Sequence, residues 1–60
     1  MKLTKKETIV SGKIIEGKSN AEIAEELFIS VNTVKTHVAN VLKKRNVKNR
    51  IQLISNQLKK

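Results

Sequence analysis

Residues Ser19 to Arg50 read SNAEIAEELFISVNTVKTHVANVLKKRNVKNR, and they carry the pattern from which the fold follows. Ser19 followed three residues later by Glu22 is a capping box, in which a hydroxyl accepts from an early backbone N–H and the carboxylate reaches back. It starts a helix over about 20–27, with Ile23, Ala24 and Leu27 facing inward and Glu22, Glu25 and Glu26 in water. Phe28, Ile29 and Ser30 form a three-residue break, and Ser30 with Thr33 supplies the next N-cap. A longer helix over about 31–45 then places Val34, Val38, Val41 and Leu42 on one face, at about 100° per residue. Two amphipathic helices across so short a break have the plan of a helix-turn-helix.

The opposite face of the longer helix gathers Asn32, Lys35, Thr36, Ala39 and Lys43, with Thr33, His37, Asn40 and Lys44 on its flank. Amide, amine, hydroxyl and methyl groups match base edges in the major groove: Asn with adenine, Lys with guanine, Thr or Ala with the thymine methyl. A surface built for a protein partner would carry aromatic anchors, and Phe28 is the chain's one aromatic residue.

Caps divide the rest of the chain. Thr4-Lys5-Lys6-Glu7 is a second capping box, predicting a first helix over about 5–16 that ends at Gly17, a residue that tolerates the left-handed conformation. Val10 and Ile14 are its inner positions, with Ile9 and Ile15 widening the stripe. Asn49 with Gln52 opens a fourth helix over about 50–58, in which Ile51, Ile54 and Leu58 recur at i, i+3 and i+7. The expected fold is all-α and tetrahelical, one domain over residues 1–60. Its core supplies only about 3–5 kcal/mol of net stability.

Composition excludes several classes. The 60 residues include no cysteine and one histidine, His37, so disulfides, zinc fingers and thiolate metal sites are not expected, nor is any cofactor. All five Glu are explained by caps and solvated faces, which argues against an enzyme. Apolar runs are too short to span a membrane, and no apolar stretch succeeds the basic residues near the N-terminus, so a cytoplasmic chain is expected. The net charge of +8 is one-sided. Residues 1–30 balance five Lys against five Glu, whereas residues 31–60 hold eight cations and no acid. A basic field confined to the longer helix and the residues C-terminal to it implies a polyanion, most simply a nucleic-acid backbone.

Leu3-Thr4, Gly17, Ser19-Asn20-x-Glu22-Ile23-Ala24-x-x-Leu27, Ile29-Ser30-x-x-Thr33-Val34-Lys35-x-His37 and Asn49-Arg50 together resemble the LuxR-type (GerE-like) DNA-binding domain, in register over nearly the whole chain. The resemblance implies a four-helix domain that regulates bacterial transcription from the nucleoid, with the third helix in the major groove of double-stranded DNA. It assigns base contacts to Lys35, Thr36 and Ala39; Asn32 joins them from the helical wheel. It puts Thr33, His37, Asn40, Lys43 and Lys44 at phosphates and sugars, with Ser19 and Asn20 at a helix N-terminus suited to a phosphate. Arg50 is expected at a phosphate or as a brace between the third and fourth helices. The fourth helix implies a homodimer through Ile51, Ile54 and Leu58, with RNA polymerase or another regulator as a further partner. Starting at Met, the chain resembles the stand-alone GerE-like form, with an excised C-terminal piece as the alternative.

Departures from the LuxR pattern are local. Ser11 and Lys13 replace large apolar residues, Arg45 replaces a usual Leu and Asn46 a common Gly. Because Arg45 falls on the valine stripe, its stem must pass along the core edge or the helix must end sooner. Two other functions remain open: a promoter reader resembling the fourth region of a sigma factor, and an interaction module that pairs with a full-length regulator through its last helix. Thr36-His37 and Asn49-Arg50 favour the LuxR type over the sigma-like reader, whose pattern continues Ser-Arg after Val-Lys.

Overall fold

The computed structural model describes residues 2–58, and side chains through residue 56. Four helices succeed one another: α1 (Lys5–Ile15), α2 (Asn20–Leu27), α3 (Val31–Lys44) and α4 (Arg50–Leu58). Each of the first three is started by a side chain. Thr4 and Ser19 form reciprocal capping boxes with Glu7 and Glu22, and Ser30 Oγ accepts from the Thr33 N–H at 3.1 Å. At α4 the Asn49 side chain accepts from the Gln52 N–H at 2.8 Å, while the Gln52 side-chain carbonyl accepts from the Lys48 N–H at 2.9 Å. These side chains satisfy early backbone donors that a helix cannot satisfy itself.

Ends are set by left-handed residues just past the helices: Gly17 at φ 88°, Phe28 at φ 57° and Asn46 at φ 58°. Both α1 and α3 stop one residue before the expected limits, at Ile15 and Lys44. Arg45 is therefore the exposed C-cap of α3 rather than a snorkelling member of its stripe.

α3 packs against all three other helices, and α1 against α3 and α4. Val10, Ile14, Ile23, Val34 and Val41 are fully enclosed, with Ala24, Val38 and Leu53 completing the core. Leu27, Ile29, Leu42, Val47 and Ile54 pack half-buried against it. Two expectations are corrected by this packing. Ile9 is 41 % exposed and does not widen the stripe of α1, whose enclosed side chains are Val10 and Ile14. Leu53, absent from the expected apolar set, is the buried residue among the described side chains of α4. Glu7 and Ser11 are buried polar residues on α1.

Candidate nucleic-acid interface

α3 presents Asn32, Lys35, Thr36 and Ala39 on the side opposite Val34, Val38 and Val41, and all four are exposed. Burial of the valines fixes the rotation of the helix about its axis, and this aims the outer four residues together at solvent. Thr36 Oγ1 donates to the Asn32 carbonyl at 3.2 Å, a bond to the preceding turn that restrains its side chain. On the flank, Thr33, Asn40 and Lys43 are exposed and His37 is half-buried. Thr33 Oγ1 lies 2.8 Å from Ser30 Oγ, so this hydroxyl belongs first to the α3 cap.

The N-terminus of α2 borders the same region in sequence and carries two more candidates. Ser19 Oγ accepts from the Glu22 N–H at 3.2 Å, and the Ser19 N–H donates to Glu22 Oε1 at 2.8 Å. Asn20 Oδ1 accepts from Arg50 Nη1 at 2.6 Å, which turns the Asn20 NH2 group away from the guanidinium. Arg50 Nη2 also donates to the Lys18 carbonyl at 2.6 Å. Arg50 thus holds the start of α4 against the α1–α2 loop, 32 residues back along the chain, rather than bracing α3 to α4 as expected.

Lys44 is likewise committed within the fold. Its Nζ lies 2.7 Å from Glu7 Oε1, the same oxygen that accepts from the Thr4 N–H at 2.9 Å. The Lys44 ammonium and the Thr4 N–H hold the Glu7 carboxyl below the usual carboxylate range. Sequence reasoning found Glu7 as a cap but not its pairing across 37 residues, for which the sequence carries no local signal. Of the twelve residues expected at DNA, ten remain on or beside the outer surface, while Lys44 and Arg50 tie helices together. Of the expected dimer contacts, Ile51 is 74 % exposed, Ile54 packs partly against the core, and the Leu58 side chain lies outside the described residues.

Charge in the first half neutralises itself. Glu26 accepts from Lys13 at 2.5 Å and from Lys18 at 3.1 Å, which lowers the Glu26 carboxyl and raises the Lys18 ammonium. Bonds from the Ser19 backbone and hydroxyl lower Glu22 in the same way. Lys35 and Lys43 stand exposed in a half-chain with no acid. The whole excess of positive charge therefore lies on α3 and the residues beyond it.

A short turn joining a capped helix to a second helix with an exposed polar face defines a helix-turn-helix DNA-binding domain. The GerE family model, described as bacterial regulatory proteins of the luxR family, matches residues 1–56. The chain is 54 % identical over 50 residues to the transcriptional regulatory protein LiaR of Bacillus subtilis, covering 83 % of this chain and 24 % of that protein. It is 55 % identical over 53 residues to the CsgBAC operon transcriptional regulatory protein of Escherichia coli, covering 88 % of this chain and 24 % of that protein. With the oxygen regulatory protein NreC of Staphylococcus carnosus it shares 41 % identity over 58 residues, covering 97 % and 27 %. The chain belongs to the LuxR family of bacterial regulatory proteins and is the family's non-enzymatic DNA-binding domain. It spans about a quarter of the length of these curated relatives. Among the described residues, no helix is long and apolar enough to cross a membrane.

Proposed function

We propose that residues 1–60 act as one unit that reads double-stranded DNA sequence-specifically and so regulates transcription, with α3 in the major groove. The observation that carries this reading is the exposed Asn32–Lys35–Thr36–Ala39 face, held outward by the buried valines of a helix in the acid-free half of the chain. In this reading these four residues meet base edges. Ser19, Asn20, Thr33, His37, Asn40 and Lys43 meet phosphates and sugars. Lys44 and Arg50 contribute mainly by holding α3 and α4 in place.

Exposure of Ile51 supports a two-fold pairing through α4, which would set two copies of α3 on inverted half-sites about one helical turn or less apart. The same surface suits a full-length regulator as partner, and RNA polymerase is a further candidate. A cytoplasmic site on the bacterial nucleoid accompanies this role.

Selection of bound sites from a random duplex pool near physiological salt tests the proposal. An inverted repeat with discrete half-sites is expected. Enrichment of no sequence, with binding that vanishes steeply as salt rises, would leave only phosphate attraction and overturn specific reading.

A further inference from the structure

Two features are left over by DNA reading. The first is Phe28, whose side chain is 94 % exposed although its backbone sits at φ 57°, where a residue with a Cβ is strained. Glycine would end α2 there with less strain, and the ring contributes almost nothing to the core, so neither cap nor packing accounts for it. The second is a groove of about 200 Å³ lined by Ser11, Arg45, Val47, Leu53 and Asn56, where α1, the α3–α4 turn and α4 meet. Ser11 and Arg45 are two of the positions at which this chain departs from large apolar residues of the LuxR pattern, and the structure brings both to this one groove. Leu53 and half-buried Val47 give it an apolar floor, and exposed Arg45 stands at its rim.

The two features complement each other in charge and in position. Exposed Glu25 and Glu22 precede Phe28 along α2, while Arg45 at the groove is succeeded by exposed Lys48. Phe28 lies three residues before α3, while Arg45 comes directly after it and Val47 three residues past its end. The 14 residues of α3, at about 1.5 Å each, put ring and groove at opposite ends of a rod about 21 Å long.

We propose that Phe28 of one copy seats in the Ser11–Arg45–Val47–Leu53–Asn56 groove of a second copy of this chain, with Glu25 facing Arg45, so that copies associate head to tail along the α3 direction. Such a contact is heterologous: every added copy still offers a ring at one end and a groove at the other, and the chain of copies stays open. It differs from pairing through α4, which would use exposed Ile51 rather than buried Leu53. One ring and one ion pair cover far less than the roughly 1,000 Å² of a stable interface, so the contact is weak in free solution. It gains strength where neighbouring copies are held close together, as on a DNA carrying adjacent sites.

The test is a dilution series of the isotopically labelled chain monitored by amide NMR up to about 1 mM, the effective concentration that tethering provides. The amides of Phe28 and Ile29 should move together with those of Ser11, Arg45, Val47 and Asn56. Phe28→Ala should weaken both sets of changes about tenfold while the dispersed spectrum of the folded chain persists. Glu25→Arg alone and Arg45→Glu alone should each weaken association about threefold by opposing like charges. An equimolar mixture of those two variants should recover it, because each then meets its opposite charge on the other. Changes confined to the exposed side of α4 around Ile51, no change up to the highest concentration, or a mixture no stronger than its components would each overturn the proposal.

Discussion

At the scale of single residues, three left-handed positions end the first three helices at different cost. Gly17 adopts φ 88° freely, and Asn46 tolerates φ 58° because its short amide suits that region. Phe28 takes on the strain of the same geometry without burying its ring. Phe28→Gly should therefore stabilise the domain by about 1 kcal/mol in thermal or urea unfolding, since it relieves strain and exposes no core. The neighbouring lysines Lys43 and Lys44 should separate by role. Lys43 is exposed, whereas Lys44 is drawn inward to Glu7. Lys43→Ala should weaken binding to all DNA sequences alike and lower the slope of log affinity against log salt by about one. Lys44→Ala should lower the unfolding midpoint and leave that slope nearly unchanged. Lys35→Ala should cost about 1–3 kcal/mol on the selected site and flatten preference at one base pair. Equal losses from Lys35→Ala on selected and random duplexes would contradict its assignment to a base.

At the scale of elements, α4 shows what an apolar pattern can and cannot specify. Its isoleucines and leucines fit several stripes, and spacing alone favours Ile51, Ile54 and Leu58. The observed inner face runs through Arg50, Leu53 and Ile54, with the guanidinium bonded to Asn20 and the Lys18 carbonyl. That rotation leaves Ile51 outside, so Ile51→Glu should change stability by no more than about 0.5 kcal/mol in thermal unfolding. If α4 pairs the copies, the same change should abolish cooperative binding to an inverted repeat while sparing a single half-site. On α1, Ser11 lines a groove floored by Val47 and Leu53. Ser11→Leu should fill it and stabilise the fold by about 1.5–3 kcal/mol, measured by urea unfolding.

For the whole molecule, a small core and carboxylates held by partners set the response to mutation and pH. Ile14 is fully enclosed; Ile14→Ala should cost about 2–5 kcal/mol, comparable to the roughly 3–5 kcal/mol that such a domain has in total. Most of that variant should be unfolded at room temperature by circular dichroism, whereas Ile14→Val, at about 0.5–1.5 kcal/mol, should stay folded. Glu7, Glu22 and Glu26 all titrate below the ordinary value of 4.5 in the folded chain. Their contribution is therefore fully present above about pH 4.5 and is lost as pH falls through the lowered folded values. Lys18 is raised above 10.5, so its contribution is present below that value and lost as pH rises beyond it. Urea midpoints measured across pH should form a plateau that falls away on both sides, and Glu26→Gln should flatten both limbs because it removes the partner of Lys18 as well.

Whatever depends on neighbours along the chain was legible in the order of amino acids alone. Thr4 with Glu7, Ser19 with Glu22 and Ser30 with Thr33 place the helix starts, and Val34, Val38 and Val41 aim α3, because caps and helical faces are governed by separations of three to seven residues. The exposed polar face of α3 was legible for the same reason: it is what remains when the buried stripe is removed. Which residues meet across long separations was settled by packing in three dimensions. Glu7 could be seen as a cap but not as the partner of Lys44, and Arg50 could be seen as a brace near the α3–α4 turn but not as the partner of Asn20. The rotation of α4, and the meeting of Ser11 with Arg45 at one groove, belong to the same level. These contacts join residues 30 or more positions apart, and their energies exist only once the hydrophobic core has folded the intervening chain back on itself.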